Sequence, residues 1–270
     1  MLTPLQKRLL EMLTWLSRFL DENNLTYYVI GGTFLGAVRH NGFIPWDDDV
    51  DIAMPRNDYE RLIRLFSQPI NHYTLESPKS CGYDFTYNFA KFYDEDTTMV
   101  EHARYRIKRG VSIDIFPIDG LGNTKEEAYK NYKKIDRLNV ILSMITCRVR
   151  KSRVWWKNAA IILGRILPIN IHSLIKNIDH LCKQKDFYSC NYVANCMSTY
   201  RKREIMERKV WGTPNLYLFE NIHVKGPAMA DEYLTHLFHN WQELPPIEKR
   251  QSAHDFEELD LNKSYKSDYT

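Results

Sequence analysis

Residues 31–52 read Gly31-Gly32-Thr33-Phe34-Leu35-Gly36-Ala37-Val38-Arg39-His40, then Asn41-Gly42-Phe43-Ile44-Pro45, then Trp46-Asp47-Asp48-Asp49-Val50-Asp51-Ile52. Four of the five residues from 47 to 51 are aspartate. Alternate side chains of a strand share a face. A strand beginning early in this stretch would set Asp47, Asp49 and Asp51 on one side, with Val50 and Ile52 in the core. Two carboxylates about 5 Å apart repel by roughly 3 kcal/mol at an effective dielectric near 20, which a fold tolerates when a cation sits between them. Hard oxygen ligands select Mg²⁺ or Mn²⁺ over Zn²⁺. A solvated acidic loop is the plain alternative, but such a loop has no need of Val50 and Ile52 among its acids. The loop glycine and distal glutamate of an EF-hand are missing.

The residues on either side extend this reading. Tyr27-Tyr28-Val29-Ile30 has the character of a short buried strand, and Gly31-Gly32 stops it. A strand that ends in two glycines and runs into a helix exposes backbone N–H groups, so Gly31, Gly32 and Thr33 are candidates for a phosphate cradle. Alone, the glycine pair would be a tight turn. Followed about seventeen residues later by alternating acids and hydrophobics, it points to metal-assisted transfer of a phosphoryl or nucleotidyl group. Ser112-Ile113-Asp114-Ile115-Phe116 predicts a later strand, stopped by Pro117, with Asp114 as a third acid. Asp119 is a weaker competitor, and a lone Asp at a strand end is the structural alternative.

This arrangement resembles the nucleotidyltransferase fold, which has a Gly-Gly or Gly-Ser turn, Asp-x-Asp on the next strand and a third acid later. The full stretch from Gly31 to Ile52 is similar to the hallmark of the LicD family, known for bacterial phosphocholine transferases, with fukutin and the fukutin-related protein as animal relatives. Met54 to Tyr59, Asp114 to Asp119, and Leu244 to Arg250 with His254 match as well, so the resemblance spans residues 25–256. Where many members have Tyr-Gly-Asp before the Pro-Pro motif, this chain has Phe238-His239-Asn240. The resemblance implies an α/β (α+β) fold with a mixed sheet, flanking helices and a mainly helical C-terminal half. It implies transfer of a phospho-substituent, phosphocholine foremost, from a CDP-linked donor such as CDP-choline to a glycan acceptor. The acceptor would be a sugar of a lipopolysaccharide, teichoic acid or capsule polysaccharide precursor, including lipid-linked ones. Asp49, Asp51 and Asp114 are the candidate catalytic acids, with Asp47 joining them as metal ligand. Asp114 is assigned the proton of the acceptor hydroxyl. Arg39, Lys91, Arg250 and His254 are candidates for the donor phosphates, although each has an ordinary surface role open to it. A nucleotidyltransferase acting with a nucleoside triphosphate, and an inactive scaffold of glycan assembly, are the alternatives.

The rest of the chain fits a globular protein. It has 270 residues, 44% hydrophobic and 13% aromatic, with a net charge of +3, which argues against disorder and against a strongly basic nucleic-acid binder. Its five cysteines are irregularly spaced without a CxxC pair, so reduced thiols are expected. Cys182, Cys190 and Cys196 beside His180 offer a zinc alternative. Thr3, Pro4 and Gln6 predict a capped amphipathic helix ending near Asn24, not a signal peptide, and the expected location is cytoplasmic. Asn57 and Glu60 predict a capping box for the next helix. Residues 85–93 and 97–101 have strand character, and Thr124 with Glu127 opens a helix to about Cys147. Helices are expected at 154–167, 171–185 and 228–239, with a short strand near 216–224 before a polar tail. The boundary falls near 122, between a catalytic core (1–122) and an acceptor-side region (123–270) that could also continue the same domain. Finally, the segment 148–167 begins Arg148-Val149-Arg150-Lys151-Ser152-Arg153-Val154-Trp155-Trp156-Lys157. Basic residues with paired tryptophans suit peripheral contact with an anionic membrane at its inner face. The competing expectation is a helix packing Trp155 and Ile162 on the core. No nucleic-acid partner is expected.

Overall fold

The computed structural model describes all residues but 80–84, 102–103, 151–153, 167, 253–255 and 269–270. Helix α1 (Pro4–Glu22) begins as its sequence dictates. Thr3 Oγ1 accepts from Gln6 N–H at 3.1 Å, and Gln6 Oε1 accepts from Thr3 N–H at 3.0 Å. Leu9, Met12, Leu13, Leu16 and Leu20 form its buried stripe, the helical period that covers a core.

Strand β1 (Tyr28–Val29) leads into α2 (Gly31–His40), and β2 (Asp51–Pro55) into α3 (Arg56–Leu65). Strands β3 (Tyr73–Glu76), β4 (Ala90–Asp94), β5 (Thr98–Glu101), β6 (Lys108–Arg109) and β7 (Ser112–Gly122) follow. Helices α4 (Lys125–Thr146), α5 (Trp155–Ile166) and α6 (Ile171–Cys182) precede β8 (Tyr192–Ala194), β9 (Met206–Glu207) and α7 (Arg208–Trp211). The chain ends with β10 (Asn215–Phe219), β11 (Ile222–Gly226), α8 (Ala230–Phe238) and β12 (Phe256–Asp260). The main sheet has the order β1-β2-β7-β4-β3, with β2 and β7 parallel and β8 and β9 extending β7 on one side. The fold is therefore α+β with a mixed sheet, as expected.

Several local expectations are corrected. Strand β7 does not stop at Pro117. Asp114 N–H bonds to Val50 O at 3.0 Å, so by alternation the amide position of Pro117 faces the other edge. There it lies between the last β4 pairing, at Ile115, and the first β8 pairing, at Asp119, where no ladder bond is lost. Strand β2 starts only at Asp51, so Asp47, Asp48 and Asp49 belong to the preceding loop and share no strand face. Helix α3 has Pro55 as N-cap without a side-chain bond, because Asn57 reaches Asp186 instead, at 2.9 Å. Residues 85–89 form no strand; Phe85 meets Tyr87 edge-on, and Tyr87, Phe89 and Phe116 follow as a run of tilted rings. The single strand near 216–224 is the β10–β11 hairpin, which packs on α2 and β1. The polar tail supplies β12, paired with β5.

One buried cluster surrounds the main sheet with α1, α2, α3 and α8, and it takes Phe187, Trp211 and Tyr233 from beyond residue 122. A second lies between α4, α6 and β8, with Tyr132, Ile135, Leu174 and Ile178 at its centre. Each such aliphatic side chain, fully buried, stabilises by about 1.5–3 kcal/mol. Cys147, Cys182, Cys190 and Cys196 are free thiols, and Cys81 lies outside the described residues. Cys190 sits against Gly120, while Cys182 and Cys196 gather with Asp119. Both oxygens of that aspartate are engaged by Arg56 at 2.7 Å. The Cys196 hydrogen bond, then burial, pushes the Cys182 thiol well above its ordinary range, which opposes a metal-bound thiolate.

Candidate active site

The sheet register assembles the acids. Parallel pairing sets Asp51 of β2 beside Asp114 of β7, and antiparallel pairing sets Lys91 of β4 on the other side of Asp114. Glu76 of β3 continues the row. Lys91 Nζ lies 2.7 Å from Asp114 Oδ1 and 3.5 Å from Glu101 Oε1, and 4.6 Å above the Tyr87 ring. The residue is 4% exposed, so it is no outward edge lysine. Burial alone would push its ammonium down; Asp114 and Glu101 reverse this and hold it well above the usual range. The Asp114 side chain keeps 24% of its surface exposed.

Asp51 carries the strongest imprint of its neighbours. Burial first, then the charges of Asp49, Asp114 and Asp47, push its carboxyl well above the ordinary value. The backbone holds it rigidly, since Asp51 N–H donates to Thr33 Oγ1 at 2.9 Å and Asp51 O accepts from Ile30 N–H at 3.1 Å. The two glycines differ: Gly31 is favoured by its backbone and Gly32 by a close contact. Gly31 has φ +53°, and a Cβ there would meet the Tyr200 ring at 3.7 Å and Asp51 Oδ2 at 3.8 Å. A Cβ on Gly32 would come within 2.9 Å of Asp47 Oδ2. The N-terminus of α2, with its partial positive charge, therefore faces the acids. Gln6, beyond capping α1, donates from Nε2 to Asp47 O at 2.8 Å and so fixes the acidic loop to the first helix.

The predicted basic residues divide into two groups. Lys91 is within the acid row. Arg39 and Arg250 are not; they meet around Trp46. Arg39 Nη1 donates to Trp241 O at 2.7 Å and Glu243 O at 3.1 Å. Arg250 donates to Pro245 O at 2.8 Å and lies 5.6 Å over the Trp46 ring. Burial and then the Arg250 charge lower the Arg39 pKa. Neither arginine has a carboxylate partner among the described residues. The Ser252 hydroxyl donates to Asp48, so the C-terminal motif lies on the acidic loop. His254 lies outside the described residues.

Three site residues had no local signal in the sequence. Tyr200 covers Gly31, and burial with the charges of Asp51 raises its pKa. The Tyr233 hydroxyl accepts from Gly31 N–H at 3.3 Å. Glu101 is the second partner of Lys91. Each arrives from a distant part of the chain.

The donor chemistry fits a hard divalent cation, because Asp47, Asp49, Asp51 and Asp114 offer only carboxylate oxygens and their mutual charge already burdens Asp51. Among the described residues no three of these acids close to within 4.8 Å of one another; Asp114 turns to Lys91. Asp49, Lys91, Glu101 and Asp114 line a small cavity of about 30 Å³. A groove of about 560 Å³ lies alongside, lined by Tyr87, Phe89, Asp136, Trp156, Ser198 and Arg201 among others. That volume suits a small-molecule ligand.

Comparison with known proteins gives two kinds of likeness. Residues 24–140 match the family profile described as LicD/FKTN/FKRP, nucleotidyltransferase domain. Over 249 residues the chain is 28% identical to the lipopolysaccharide cholinephosphotransferase LicD of Haemophilus influenzae, covering 91% of this chain and 92% of that protein. Shorter stretches are similar to uncharacterized proteins of Rickettsia prowazekii, 47% identical over 49 residues, and Rickettsia typhi, 44% over 52; these cover 18% of this chain in each case and 18% and 17% of those proteins.

Proposed function

We propose that the chain, whose residues 24–140 match the LicD/FKTN/FKRP nucleotidyltransferase profile, is a LicD-like phosphotransferase. It moves phosphocholine from CDP-choline to a sugar of a cell-surface glycan precursor, a lipopolysaccharide being the acceptor class favoured by the Haemophilus relative. Teichoic acid and capsule precursors offer the same kind of hydroxyl. The observation that carries this reading is the register pairing of Asp51 with Asp114, beside the N-terminus of α2 and backed by Lys91.

Asp49, Asp51 and Asp114 would hold a Mg²⁺ or Mn²⁺ ion, with Asp47 alongside, once Asp114 shares its carboxylate between the ion and Lys91. When bound, such an ion supplies charge neutralisation at the donor pyrophosphate. The backbone N–H groups at Gly32 and Thr33 orient the same phosphates. The acceptor oxygen forms the new bond to the phosphorus that carries choline. The bond from that phosphorus to the bridging oxygen breaks, and its electron pair leaves with CMP. Asp114 takes the hydroxyl proton, and Lys91 keeps its carboxylate ionised until then. Arg39 and Arg250, beside Trp46, receive the negative charge of the departing nucleotide.

The test is product analysis with CDP-choline, CDP-ribitol and CDP-glycerol, a membrane extract as acceptor, and Mg²⁺ or chelator. CMP formed from CDP-choline, with choline phosphate on the glycan and only with metal, is expected. Pyrophosphate released from a nucleoside triphosphate, with no CMP from any CDP compound, would replace this reading by nucleotidyl transfer. No metal binding in a titration would leave a scaffold.

A further inference from the structure

Helix α5 has two apolar faces, and only one is used. Ile161 and Gly164 are its buried residues, with Gly164 so close to α4 that a Cβ would come within 2.9 Å of Met144 Cβ. At about 100° per residue, the opposite side carries Trp155, Ala159, Ile162 and Ile166, with Trp156 and Leu163 beside them. No charged residue falls on that side. Trp155 is 78% exposed, Ile162 55% and Ile166 75%. The expectation that Trp155 and Ile162 pack on the core is therefore overturned. Arg165 borders the face, and Arg148 and Arg150 precede it. From Arg137 to Ile178 the sequence has eight Lys and Arg and no Asp or Glu.

We propose that this face of α5 docks on an anionic lipid surface. Tryptophans among aliphatics suit the headgroup boundary, and the one-signed charge around them complements anionic lipid. At twelve residues the helix is about 18 Å long, so it lies in the surface and does not cross it. Among the described residues no single helix is long and apolar enough to cross a membrane. Helices α5 and α6 together reach the length but meet at 107°, and α6 spends Leu174, Ile175 and Ile178 on the core. Trp156 and Ile161 also line the 560 Å³ groove, which extends to Tyr87 and Ser198 near the acid row. A docked protein thus opens that groove at headgroup level. The inference does not depend on which donor the enzyme uses.

The test is cosedimentation of the full chain with phosphatidylcholine vesicles, with and without phosphatidylglycerol, at low and high salt. Binding is expected only with phosphatidylglycerol and should fade as salt screens it. Each cation near such a surface contributes about fivefold in partitioning, so Arg148→Gln with Arg150→Gln and Arg165→Gln should weaken binding by about 100-fold. Trp155→Ser with Ile162→Ser and Ile166→Ser should abolish it at an unchanged melting temperature, since none of the three is buried. Recovery in the supernatant under every condition overturns the proposal. So does a dimer, seen by sedimentation velocity without lipid, that the serine variant dissociates, because a second copy then covers the face.

Discussion

Strand β7 carries two aspartates in opposite circumstances. Asp114 and Asp119 lie an odd number of residues apart and so face opposite sides of the sheet. Asp119 is fully buried, and Arg56 grips both its oxygens at 2.7 Å while reaching Asp179 at 3.0 Å. That pairing joins β7, α3 and α6. Asp114 has one lysine at 2.7 Å, keeps part of its surface open, and stands beside a second acid. A buried carboxylate with its charge matched by a bidentate partner serves the fold. One that shares a single cation with other acids, and keeps part of its surface open, is suited to a ligand.

That difference predicts different failures. The largest effect is expected for Asp119→Ala, which leaves Arg56 buried without its partner and should cost about 3–5 kcal/mol in a denaturant titration. Asp51→Asn and Asp114→Asn should each lower turnover by about 100- to 1000-fold, the loss typical of a group that stabilises transition-state charge. Without metal the melting temperature of Asp51→Asn should stay level or rise, since like-charge repulsion is relieved, whereas that of Asp114→Asn should fall, because buried Lys91 loses its nearest partner. Normal turnover in either variant would erase the contrast with Asp119.

A third buried acid sharpens the comparison. Glu204 is 1% exposed, its Oε2 makes no hydrogen bond among the described residues, and burial pushes its pKa up from 4.5 to about 7. Because the folded value is the higher one, its stability contribution is whole below pH 4.5 and is lost as pH rises through 7. Glu204→Gln should therefore stabilise the protein by on the order of 3 kcal/mol at about pH 8 and hardly at all at about pH 4. Thermal melts at both values decide it. The smallest effect is expected for Gly31→Ala, about 1–2 kcal/mol for a left-handed backbone position, read in a denaturant titration, since a Cβ there meets Tyr200 and Asp51 only at ordinary contact distance.

What the sequence revealed was local. The Thr3–Gln6 box, the strands flanking Asp51 and Asp114, and the Thr124 cap are each decided by neighbours within a few positions. Pro117 misled because its missing N–H falls between two partner strands, a fact of the sheet and not of the segment. Asp47 and Asp49 look like strand residues by alternation, yet pairing with β7 begins only at Asp51. Arg39 is held by carbonyl partners 202 and 204 positions along the chain, which no local pattern announces. Tyr200, Tyr233 and Glu101 lie in unremarkable segments, and only packing brings them to the acids.

The pairing of β12 with β5, and of Ser252 with Asp48, has a consequence for synthesis. The acidic loop is made 204 residues before the segment that meets it. At about 5–20 residues per second, the loop waits on the order of 10 to 40 s for its cover. Throughout that interval the nascent chain presents a concentrated patch of negative charge, which repels other nascent chains of its own kind. A ribosome that halts before residue 252 releases a polypeptide that has the acids of the centre but neither of these pairings.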